Sequence, residues 1–117
     1  MPVNSRDKGA VGERELAALL REWGYDARRG QQFKGSVDSP DVYGVPGLHF
    51  EVKRTEHFRL YAAVAQAVRD ADGKAVPVVA HRRNRDKWLF VLGEDGFRLL
   101  SGLYSPPARI IRLEEVL

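Results

Sequence analysis

Apolar residues recur every three or four positions from residue 7 to residue 23, where Gly12, Leu16, Leu19, Leu20 and Trp23 fall on one stripe. This spacing predicts a helix over 7–23, with Ser5 or Asp7 as candidate caps and Gly24 supplying the left-handed exit. Tyr25–Arg29 follows as a short candidate strand, and Gly30–Pro40 reads as a polar loop within a domain. The period then changes to two. In 48–54, Leu48, Phe50 and Val52 alternate with His49, Glu51 and Lys53. With Asp41–Val45 this segment predicts a hairpin turning through Val45-Pro46-Gly47. Helical spacing returns over Phe58–Ala71, where Leu60, Ala63, Val64, Ala67, Val68 and Ala71 form the apolar set and Asp72-Gly73 ends it. Val76–His81 and Lys87–Leu92 predict two more strands around a basic turn, Arg83-Asn84-Arg85. Beyond residue 92 the pattern fades, with a Ser105-Pro106-Pro107 break and an unassigned Ile110–Leu117 segment. Helix, strands, helix, strands is the order of an α/β domain with a central mixed sheet flanked by helices.

The hairpin brings candidate chemistry with it. Centring the turn on Pro46 puts Val42 opposite Phe50 and Asp41 opposite Glu51, with Lys53 on the same polar face. Carboxylates opposed on paired strands have Cβ atoms about 4.5–5.5 Å apart and repel each other. A divalent cation between them reverses the sign of that interaction. Magnesium favours such a place: one or two carboxylates, several waters and substrate phosphate oxygens. The same spacing also describes an ordinary polar face on which Asp41 and Glu51 share Lys53 as counter-ion. Glu13 adds a third acid. At 100° per residue it lies about 20° from Leu20, toward the apolar stripe, where a carboxylate either reaches out at the rim or is aimed at something.

Composition narrows the class. The 117 residues are 44% hydrophobic and 30% charged, enough for one core and too apolar for a disordered chain. Lys and Arg number 19 against 16 Asp and Glu, a net charge of +3, which permits a nucleic-acid partner without requiring one. Basic residues gather at Arg28, Arg29 and Lys34, and again from His81 to Lys87. Without cysteine, disulfides and thiolate zinc sites are excluded. The opening MPVNSRDKG is not apolar and no run is long enough to span a bilayer, so a cytoplasmic soluble protein is the expectation.

Ser39-Pro40-Asp41-Val42 followed by Glu51-Val52-Lys53 resembles the PD-(D/E)xK nuclease motif. Lys8-Gly9, Glu13-Arg14-Glu15-Leu16, Gly24-Tyr25 and Arg28 resemble the opening of archaeal-type Holliday junction resolvases, which are nucleases of this superfamily. The similarity runs over about residues 8–92. It implies a restriction-endonuclease-like fold in a single nuclease domain spanning 1–117, with its core at about 7–92. It also implies a homodimer acting on branched DNA with Mg²⁺, for which Mn²⁺ substitutes. By position, Asp41 and Glu51 match the metal-ligand acids, the Val52 backbone carbonyl a further ligand, Lys53 the catalytic lysine, and Glu13 the helix glutamate that organises the metal, directly or through water. Gly35-Ser36 and Ser39 fall in the family's serine-containing loop, and Gln66 matches a helix glutamine near the active site. DNA-contact candidates are Lys8, Arg28, Arg29, Lys34, Ser36, Arg54, Gln66, Arg82, Arg83 and Arg85, with Phe33 a wedge candidate. His49 and His57 lie nearby, but this mechanism needs no histidine base. Leu99, Leu100, Leu103 and Tyr104 are available for the core or a dimer interface. Two other readings remain open: a nuclease of the same superfamily cutting duplex or single-stranded DNA, and an inert DNA-binding module.

Overall fold

The computed structural model describes residues 5–30 and 39–103, and the side chains of 9–30 and 39–102. Eight elements follow one another: α1 (Ser5–Glu22), β1 (Arg28–Arg29), β2 (Val42–Tyr43), β3 (Leu48–Arg54), α2 (Leu60–Ala71), β4 (Val76–Arg82), β5 (Leu89–Val91) and α3 (Glu94–Leu103). The strands form one mixed sheet in sequence order. The pairs β1–β2, β2–β3 and β4–β5 are antiparallel, whereas β3 and β4 run parallel from Leu48↔Val76 to Arg54↔Arg82. Helix α2 is the crossover that a parallel pair requires.

Alternation in the central strands sorts the two faces. Even-numbered Phe50, Val52, Val76, Val78 and Ala80 join Leu16, Ala17 and Leu20 of α1 in the main core, with Leu100 of α3 against it. Odd-numbered Val79 packs with Ala63 and Ala67 of α2. Both faces of β3 are therefore covered, and His49 and Glu51 are buried despite being polar. Gly12 lets α1 approach closely, since a Cβ there would lie 2.5 Å from the Arg54 Cβ. Gly24 takes φ +98° at the end of α1, the left-handed exit the sequence predicts.

The hairpin register is as expected where the strands pair, with Val42 opposite Phe50. Several boundaries differ. Helix α1 already contains Asp7, so that residue is not its cap. Strand β1 keeps only the last two residues of the expected segment. Trp23 stands beyond the helix, 57% exposed and tilted against Phe90 at 6.2 Å. On α2 the alanines face the sheet, while Leu60 and Val68 lie at its margins and stay partly exposed. Helix α3 was not expected, because Gly96 and Gly102 interrupt its pattern; Glu94 and Asp95 favour its start against the helix dipole. The Ser105-Pro106-Pro107 and Ile110–Leu117 segments, Tyr104, and the Leu103 side chain lie outside the described residues. No described helix is long and apolar enough to cross a membrane.

Candidate active site

Helix α2 is laid along the odd face of β3 so that its polar side chains meet those of the strand. Lys53 Nζ donates to Gln66 Oε1 at 2.9 Å, and Asp70, one helical turn on, is hydrogen-bonded to Glu51, two strand residues back. The steps match: four helical residues rise about 6 Å, and two strand residues rise about 6.6 Å. Glu51 is 5% exposed. Burial first, then the charges of Asp41 and Asp70, push its carboxyl up to about 8 from an ordinary 4.5, with Lys53 opposing. Asp70 was missed in the sequence, although its i+4 relation to Gln66 puts both on one stripe of α2.

Asp41 sits just before β2. Its N–H donates to the Phe50 carbonyl at 2.8 Å, and its Oδ2 accepts the Val52 N–H at 2.7 Å. The carboxylate thus lies on the backbone between Glu51 and Lys53, where it raises the pKa of both Glu51 and Glu13. A strand residue directs its N–H and C=O to the same side, so the Val52 carbonyl faces the same edge as Asp41. Glu13 is buried beneath this edge at 5% exposure, and Arg29 Nε donates to its Oε1 at 3.1 Å. Burial raises its pKa, with the Arg29 hydrogen bond opposing. His49 Nε2 lies 4.0 Å from Glu51 Oε1 on the same buried face.

Among the described residues no group of three or more acid, histidine or cysteine side chains is spaced to hold a metal ion. The donor set here is smaller: Asp41, Glu51 and one carbonyl, with Glu13 behind. Two mutually repelling acids, one held protonated by burial, suit a hard divalent cation, which reverses both effects on binding.

The basic candidates separate by environment. Arg54 Nε and Arg82 Nη1 both donate to Glu15 Oε2, at 3.2 and 2.8 Å, which ties the ends of β3 and β4 to α1. Arg28 pairs with exposed Asp26, and Arg83 with Asp86 at the β4–β5 turn. Arg85 is exposed at φ +65° in that turn. His57 is exposed, with its backbone bound to the Thr55 hydroxyl. Phe33, Lys34, Gly35 and Ser36 lie outside the described residues, as does the Lys8 side chain.

The family described as archaeal Holliday junction resolvase (Hjc) matches residues 4–97. No curated protein matches. Among solved structures, the 1.6 Å structure of Archaeoglobus fulgidus Hjc, a Holliday junction resolvase from an archaeal hyperthermophile, is 31% identical. It superposes with a TM-score of 0.54 over 68% of this chain and 72% of that one. With a match over most of its length, the chain belongs to the archaeal Holliday junction resolvase family.

Proposed function

We propose that this protein is a divalent-metal-dependent endonuclease that resolves four-way DNA junctions by phosphodiester hydrolysis. The observation that carries the chemistry is Glu51, buried beside Asp41 with its carboxyl pushed up to about 8. Asp41, Glu51 and the Val52 carbonyl would hold Mg²⁺ or Mn²⁺, and Glu13 would steady a metal-bound water. The cation would supply Lewis acidity at the scissile phosphate and lower the pKa of a water. Lys53, fixed by Gln66, orients the attacking water or neutralises charge gathering on the phosphate. The Val52 N–H holds the Asp41 carboxylate at the edge of β3.

Family membership supports the junction as substrate. A homodimer would present two such sites for paired cuts on a two-fold junction. Arg28, Arg83 and Arg85, with Lys8, Lys34 and Ser36, would contact phosphates, so binding weakens as salt rises. The test is a panel of four-way junctions, flaps and linear duplexes with Mg²⁺. Paired symmetric cuts in the junction, and little in the duplex, are expected. Glu51→Ala should lower the rate by roughly 10²–10³-fold, the loss typical of removing one preorganised electrostatic group. Equal cutting of linear duplex would replace the junction reading with a general DNA nuclease. Wild type no more active than Glu51→Ala would leave a DNA-binding module.

A further inference from the structure

The strand face that carries Glu51 and Lys53 also carries a residue the proposed chemistry does not use. His81 of β4 pairs in register with Lys53 of the parallel strand β3, so the two side chains are neighbours on the face that α2 covers. His81 is 5% exposed. Its Nε2 lies 2.9 Å from the Thr55 carbonyl. A carbonyl only accepts, so Nε2 is the donor. Nδ1 is buried and has no hydrogen-bond partner among the described residues. The Phe58 ring lies flat on the imidazole, with centroids 4.0 Å apart and planes at 12°.

Thr55 and Phe58 belong to the five-residue link, 55–59, between the strand that carries Lys53 and the helix that carries Gln66. The link is short and folded on itself: the Thr55 hydroxyl donates to the His57 carbonyl and accepts the His57 N–H. His81 grips it at both ends, by hydrogen bond at Thr55 and by ring stacking at Phe58. Where Phe58 rests decides where α2 begins at Leu60, and so where Gln66 meets Lys53. Core filling alone does not ask for histidine here. An aliphatic side chain would occupy the space without leaving a ring nitrogen buried and unpaired.

We infer that His81 is a positioning residue, holding the 55–59 link so that Gln66 of α2 fixes the Lys53 ammonium at the reacting phosphate. The inference rests on the nuclease reading, and its failure looks different: wild type cleaves but does not depend on His81. His81→Phe keeps the stacking and removes the donor, whereas His81→Gln keeps a donor and loses the ring. Phe58→Leu weakens the stack without touching the hydrogen bond.

Cleavage of a labelled four-way junction with Mg²⁺ gives kcat and KM. The Gln66 side-chain amide resonances of the metal-free protein report the Lys53 contact independently of activity. His81→Phe should lower kcat about tenfold or more, within the range that small misplacements cost, with KM unchanged. Its Gln66 resonances should move toward solvent-like positions. His81→Gln should recover part of kcat, and Phe58→Leu should lower it less than His81→Phe. If His81→Phe does not fold, the same split and the same Gln66 shift are required of Phe58→Leu. An unchanged kcat in the folded variants, a loss carried by KM, or unmoved Gln66 resonances would each overturn the inference.

Discussion

Glu51 shows what a single residue's surroundings do to its chemistry. The native state of the metal-free protein keeps its proton up to about pH 8, while an unshifted carboxyl releases it near 4.5. Between those values the native state binds the extra proton, so stability falls as pH rises through the window. Melting of the metal-free protein is therefore expected to shift downward from pH 5 to pH 8. Glu51→Gln should flatten that dependence, and Mg²⁺ should raise Tm more at pH 8 than at pH 5.5, because the cation must displace the proton. A wild-type curve as flat as that of Glu51→Gln would sink this account. The placing of Glu51 and Lys53 on one face was legible in the sequence because strict alternation fixes it, and the hairpin register, with Val42 opposite Phe50, brought Asp41 beside them. Asp70 and His81 were not legible. Their relevance comes from where α2 crosses the strand and from the parallel register, both set by tertiary packing. The single acid Glu15 likewise gathers Arg54 and Arg82, which lie 28 residues apart in the chain, so basic residues that look alike in sequence have different partners in the fold.

At the scale of elements, α2 connects strand geometry to the site. Its sheet-facing side consists of Ala63, Ala67 and Ala71, all nearly inaccessible. Small residues let the helix axis lie close enough for Gln66 and Asp70 to reach across. Ala67→Leu adds three carbons where exposure is 1%. It is expected to cost about 1–3 kcal/mol by overpacking, measured by urea unfolding. It should also lower junction cleavage in the fully folded variant, because the helix must lift from Lys53. Full activity in a destabilised Ala67→Leu protein would disprove the coupling. Elements with long, clean periods (α1, β3 and α2) were legible from the pattern, and β4 from its short apolar run. The sequence does not mark β1 as a strand of only two residues, because its pairing with β2 decides its length. Helix α3 was hidden because Gly96 and Gly102 weaken the local signal while contact with the core sustains the helix.

Across the whole molecule, the sheet is strong in the middle and weak on one side. Strands β3 and β4 are joined by a seven-pair parallel ladder, whereas β2 meets β3 through the single pair Val42↔Phe50. The Asp41 carboxylate adds one rung by accepting the Val52 N–H. Glu51 and Lys53 ride on the strong part; Asp41 stands on the weak part. The natural tear line thus runs through the proposed catalytic constellation instead of around it. Cooperative units of different stability open independently in many proteins, and functional segments tend to belong to the looser ones. Here mild denaturant should silence the protein reversibly while most of its sheet survives. Activity is expected to vanish at a urea concentration below the circular-dichroism midpoint, with amides of β3 and β4 exchanging last. Coincident transitions would refute this. An opened molecule of that kind still holds its lysine and one acid in register, so recovery needs one short strand to re-zip, not a chain to refold.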